Sequence, residues 1–191
     1  MSLIKRPLKA LLLTLAAYLM DVCLMPYLAV SGISGSMSFA MLSIITVSYG
    51  KKAAFICGAI IGLLMETMLS SVPVVYLLMY PVIATLCAQF FADMSDRQRE
   101  RRRTVEHKRD YDLPPFIRIV ACAALSAVLM HTTNLIYGYL SGHGITIGHI
   151  MRALASVLYT VALAVLLMLP VRYFLGIYGT RKERREKRGE R

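Results

Sequence analysis

KAAFICGAIIGLLMETMLSS, residues 52–71, is apolar for roughly the length a helix needs to cross a bilayer, and its one acid, Glu66, sits towards the far end. Read as a helix, it stacks Gly58, Gly62 and Glu66 on one face, because residues four apart lie nearly above one another. Two places on that face admit a neighbouring helix at close range, and the third is a carboxylate. An unpaired charge is costly inside hydrocarbon, so Glu66 needs a partner, water or a proton.

The rest of the chain has the composition of a polytopic membrane protein. Its 191 residues are 57% hydrophobic with a mean hydropathy of +0.59, and the charges fall in blocks between long apolar runs. The excess of 22 Lys and Arg over 11 Asp and Glu would point to nucleic acid in a soluble protein. Here the basic residues flank apolar segments, where they set orientation and meet anionic lipid, so no nucleic-acid partner is expected. Cys23, Cys57, Cys87 and Cys122 all fall in apolar segments without the close spacings of zinc ligands, and read as small buried residues. The start, MSLIKRPLKALLLTLAAYLM, imitates a signal peptide. Its apolar run continues through Asp21 to Val30 without a clear cleavage site, and reads as an uncleaved first span.

Six segments qualify as spans: residues 8–30, 33–49, 53–70, 72–92, 116–140 and 147–174. The second is the weakest, diluted by serines and only about 25 Å long as a helix. Charge decides whether it crosses. With the N-terminus inside and all six crossing, Lys5, Arg6, Lys9, Lys51 and Lys52 are cytoplasmic, together with the basic loop DMSDRQRERRRTVEHKRDYDLPP (93–115) and the tail RKERREKRGER (181–191). The external loops 31–35, 71–73 and 141–148 then contain no Lys or Arg. Omitting the second crossing would export both large basic blocks, against the positive-inside rule. The expected fold is therefore an all-α integral membrane protein, a six-transmembrane-helix bundle with both termini cytoplasmic. Residues 1–92 supply four helices, 93–115 a basic loop, 116–175 two helices and 176–191 a basic tail. The loop and tail read as orientation signals or as docking surfaces for a partner or anionic headgroups. Tyr27, Tyr137 and Tyr139 fall near outer ends, and Tyr49, Tyr173 and Tyr178 near inner ends, the interfacial belt of a chain without Trp.

Counting from the inner basic anchors places Asp21, Glu66 and His131 at a similar depth, about 18–21 Å up their helices. Asn134 is one turn beyond His131, and Arg152 enters from outside on the last helix. One intramembrane polar cluster is expected, with Arg152 and His131 opposite Asp21 and Glu66 and with Asn134 bridging. The alternative is that these groups only pair and lock the bundle. Gly58 and Gly62 form a small-xxx-small pattern, a device for helix contact. His143 and His149 lack a further ligand for a metal and read as loop histidines. No HExxH, GxSxG, Walker or CxxC pattern is present, and no cofactor or catalytic residue is assigned.

The stretch SYGKKAAFICGAIIGLLMETMLSSVPVVYLLMYPVIATLCAQFF, residues 48–91, resembles the central part of the MreD family, rod-shape-determining proteins of the bacterial inner membrane. That family shows a GxxxGLxxD-like signature in a membrane helix, followed by a short loop and another span. Gly58, Gly62, Leu63 and Glu66 match it, with Glu at the usual Asp position. Length, six-span topology and a basic start also look like that family. The resemblance implies a non-catalytic component of the cell-elongation and peptidoglycan-synthesis machinery. It would bind an MreC-like protein and act through it with MreB, RodA and a penicillin-binding transpeptidase. The family's bundle is thought to resemble substrate-binding subunits of energy-coupling-factor (ECF) transporters. Such a small-molecule-binding subunit is the first alternative, although Ala10, Ala16, Ala17 and Ala29 do not form that family's Ala-xxx-Ala coupling pattern. An intramembrane enzyme using Asp21, Glu66 and His131 as acid and base groups is the second.

Overall fold

The structure is a computed structural model that describes residues 2–29, 33–68, 74–91, 114–142, 144 and 146–174, with side chains from Leu8 onward except those of Pro115, Arg172 and Phe174. His143, Tyr178 and nearly all of the two large basic blocks lie outside these residues. The regular elements among the described residues are seven helices: α1 (Ser2–Cys23), α2 (Met25–Leu28), α3 (Met37–Tyr49), α4 (Lys51–Met68), α5 (Val75–Phe91), α6 (Pro115–Leu140) and α7 (Ile147–Phe174). Each of the six segments expected to be helical contains one, and the first is divided in two. The division falls at Leu24, just before Pro26, which has no N–H to continue the helical ladder.

At the centre is α3, the segment that looked weakest. It touches α1, α4, α5, α6 and α7, and every residue from Met37 to Val47 is buried. A helix apolar all round has no face to present to water, so enclosure by other helices is the stable solution. Its serines serve this placement. Ser38 and Ser43 are buried, and small side chains let several helices approach one axis. The Ser43 hydroxyl bonds back to the Ala40 carbonyl at 2.7 Å, so its polarity is absorbed within the helix. At thirteen residues α3 is about 20 Å long. Gly50 alone joins it to α4, at φ +80°, with its N–H donated to Thr46 O at 3.0 Å. That left-handed turn is where glycine is needed.

The most extensive packing is between α4 and α5. It is built on the glycine stripe, where a Cβ on Gly62 would stand 2.7 Å from the Tyr76 carbonyl oxygen and one on Gly58 would stand 3.0 Å from Pro81 Cα. On the α5 side the contact is completed by Ala84, Tyr80 and the backbone beside Pro81. Phe39 of α3 then stacks on Tyr80, centroids 4.6 Å apart and planes 8° from parallel. Such an aromatic pair contributes about 0.5–1.5 kcal/mol beyond its buried area.

Among the described residues two helices are long and apolar enough to cross a membrane: Phe116–Leu140 of α6 and Ile147–Val171 of α7, with mean hydropathy 1.8 and 2.4. Outward faces are apolar as well. Leu8, Leu11, Leu12, Leu15 and Leu19 form an exposed stripe on α1, and Leu154, Leu158, Leu166 and Leu169 are exposed on α7. Cys57, Cys87 and Cys122 are buried free thiols, whereas Cys23, expected to be buried with them, is exposed.

Candidate functional site

The two acids that suggested one cluster are engaged separately, each by the start of another helix. The Asp21 carboxylate accepts from the Met37 N–H at 2.7 Å, the Ser38 N–H at 3.1 Å and the Ser36 hydroxyl at 3.1 Å. These donors belong to the first turn of α3, whose N–H groups have no intrahelical acceptor and whose dipole favours a negative charge. Glu66 does the same for α5, accepting from the N–H groups of Val74 at 2.5 Å, Tyr76 at 3.1 Å and Leu77 at 3.4 Å. Glu66 reaches its donors because Gly62, one turn earlier on the same face, lets α5 lie close. Val74 holds φ +74°, strained for a β-branched residue, as it brings its N–H to that carboxylate. The other end of α5 is also held from outside. Arg118 of α6 donates Nε–H and an Nη2–H to the Phe91 carbonyl, at 3.0 and 2.5 Å, a cation on a helix C-terminus.

Within the expected cluster of Asp21, Glu66, His131, Asn134 and Arg152, both acids are engaged by helix starts. Among the described residues neither acid pairs with Arg152 or His131. Backbone amides meet the need for a partner that depth counting assigned to those cations. Depth alone could not reveal this, because the amides come from helix starts whose positions depend on the fold.

What the structure does bring together lies between α6, α7 and the extended residues 34–36 that lead into α3. The Ser156 hydroxyl donates to the Ser34 carbonyl at 2.5 Å, and His131 Nε2 lies 2.9 Å from the same hydroxyl. A serine hydroxyl has one hydrogen, so it accepts here and Nε2 carries the proton. The Ser36 N–H donates to Thr160 Oγ1 at 3.0 Å, and that hydroxyl donates to Ser156 O at 2.9 Å. Residues 34–36 are therefore pinned to α7 from two positions one turn apart.

Two adjoining cavities flank this seam. An outer cleft of about 280 Å³ is lined by His131, Asn134, His149, Arg152 and Ser156 together with apolar Ile33, Leu135 and Ala153. A deeper cavity of about 420 Å³ shares Ser34, His131, Asn134 and Ser156 with it and extends to Met25, Met65, Met130, Tyr76, Tyr80 and Asp21. Asp21, His131 and Asn134 thus meet around one space, Arg152 joins the neighbouring one through His131 and Asn134, and Glu66 lines neither. Leu63, the remaining residue of the signature, is exposed on α4, away from the glycine face. Among the described residues no group of three or more His, Cys, Asp or Glu side chains is placed to hold a metal.

Sequence reasoning missed Ser156 and Thr160, although a signal was present. Arg152, Ser156 and Thr160 recur every four residues along a long apolar helix, a polar stripe on one face. His149, read as a loop residue, is on the first turn of α7, where its Nδ1 accepts from the Thr146 N–H at 3.3 Å.

No protein-family model, curated protein or solved structure matches this chain.

Proposed function

We propose that the chain is a multi-pass protein of the bacterial inner membrane, crossing six times with both termini cytoplasmic. In this reading it is a non-catalytic component of the cell-elongation machinery, similar to MreD, whose partners are an MreC-like protein and, through it, MreB, RodA and a penicillin-binding transpeptidase. The observation that carries this reading is the α4–α5 pair. The residues of the resemblance, Gly58, Gly62 and Glu66, build one unit in which two glycines admit α5 and the acid caps its start. The apolar exterior and the placement of basic residues support the membrane and its sidedness.

Two consequences differ from the picture that the glycine stripe suggests alone. Its contact face is filled by α5 of the same chain, so a partner's span has to meet the outer surface of the bundle. Asp21 and Glu66 each accept three hydrogen bonds, from two different helix starts, which favours a structural role for them over acid–base catalysis. Purification of the tagged chain from its native membrane is expected to recover a single-span MreC-like protein, and depletion of the chain to round up rod-shaped cells. Recovery without such a partner, combined with unchanged cell shape, overturns the reading. A stoichiometric vitamin-like compound in the same preparation would favour an ECF-type binding subunit instead.

A further inference from the structure

The outer cleft and the deeper cavity share a wall and differ in the ionisable side chains that line them. Among the described residues no acid lines the outer cleft, whereas Arg152, His149 and Asn134 all do. Among the described residues the Arg152 guanidinium has no ion-pair partner, and the Asn134 amide has no hydrogen-bond partner. His131 donates through Nε2 to Ser156, which leaves Nδ1 of the neutral ring as a further polar atom on the wall common to both spaces. The deeper cavity has four methionines in its wall, Met25, Met65, Met68 and Met130, beside the rings of Phe39 and Tyr76. Methionine walls adapt to flexible apolar groups rather than to one rigid shape. Asp21, the one acid there among the described residues, already has three donors on its carboxylate.

We infer that the two cavities form one binding site for an anionic amphiphile: a phosphate or carboxylate head in the cleft between α6 and α7, held by Arg152, Asn134 and His149, and an apolar tail in the methionine-lined space beside α3. The volume of the deeper space, about 420 Å³, falls within the range of small-molecule sites. A guanidinium supplies forked donors suited to such a head, and the shared wall of Ser34, His131, Asn134 and Ser156 marks where head meets tail. No bond is made or broken; the site binds.

The test uses the full chain purified in an uncharged maltoside detergent and titrated with dodecyl phosphate, inorganic phosphate and dodecyltrimethylammonium, with binding read by thermal shift and stoichiometry by native mass spectrometry. Dodecyl phosphate is expected to bind one per chain, at least about tenfold more tightly than either other probe. Loss of one charge-assisted contact in Arg152→Gln should weaken it by roughly ten- to hundredfold. Arg152 is exposed and unpartnered among the described residues, so this variant should keep the unliganded unfolding midpoint. Asn134→Leu provides an independent reading of the head site, with a smaller loss expected. Met68→Trp, at an exposed position on the deeper wall, should weaken dodecyl phosphate without altering inorganic phosphate. Equal binding of inorganic phosphate would reduce the site to a free-anion cleft and overturn the proposal. So would equal binding of the cationic amphiphile, or wild-type affinity in both Arg152→Gln and Asn134→Leu.

Discussion

A carboxylate in an apolar helix need not seek a cation. Asp21 and Glu66 each take three donors from the open first turn of a neighbouring helix, so each contributes as a side-chain cap supplied across the bundle. Replacing a cap by alanine typically costs about 0.5–2 kcal/mol, and the cost is larger where several donors lose their acceptor out of reach of water. Glu66→Ala is expected to destabilise the chain by about 1–2 kcal/mol. Glu66→Gln, which keeps one acceptor oxygen, should lose about half as much; thermal unfolding in detergent reads both. Because the two acids serve different helices and share no donor, Asp21→Ala and Glu66→Ala should add to within about 0.5 kcal/mol in the double variant. A coupling well above that value would restore a common cluster.

Glycine acts on the elements in two distinguishable ways. At Gly62 the obstacle to a side chain is the backbone of α5, with Tyr76 O 2.7 Å and Leu77 Cα 3.1 Å from a built Cβ, and backbone cannot swing aside. Gly62→Ala should therefore cost about 1–3 kcal/mol by overpacking, and Gly62→Leu should separate α5 from α4. At Gly50 nothing lies within 4 Å, yet φ is +80°, so Gly50→Ala suffers from backbone conformation alone, by about 1–2 kcal/mol. Gly138, inside α6 with open space and no left-handed φ, is the contrast: Gly138→Ala should stabilise by up to about 1 kcal/mol through helix propensity. Unfolding midpoints of the three alanine variants, ranked side by side, check the assignment. The stripe at Gly58 and Gly62 was legible as a helix-contact face because its spacing is local. Its occupant was not, since any helix with small residues could have filled it.

For the whole molecule, an apolar exterior around a seam of serine, threonine and histidine bonds is the arrangement expected in lipid. There hydrophobicity does not drive one helix onto another, and close packing with polar links does. The proposed six-crossing topology makes a direct prediction about sidedness. In a Cys23→Ala background, a membrane-impermeant maleimide applied to intact cells should label Ser141→Cys and leave Lys52→Cys untouched until the membrane is opened. The reverse pattern would invert the chain. Topology of this kind rests on where Lys and Arg lie along the chain, a one-dimensional property, and so did the helical segments, whose long apolar runs between charged blocks leave the backbone few other ways to satisfy itself.

The opening stretch marks the boundary between the two sources of information. Periodicity alone placed Gly58, Gly62 and Glu66 on one face and made the glycines a contact surface, because a helix repeats every few residues whatever surrounds it. Only the packed bundle decided that α5 fills that face, that Glu66 and Asp21 cap α5 and α3, and that His131, Asn134 and Arg152 meet at paired cavities. It also put the serine-diluted α3 at the centre. Each of these depends on which helix end comes to lie beside which side chain, and a count along one helix contains no record of its neighbours.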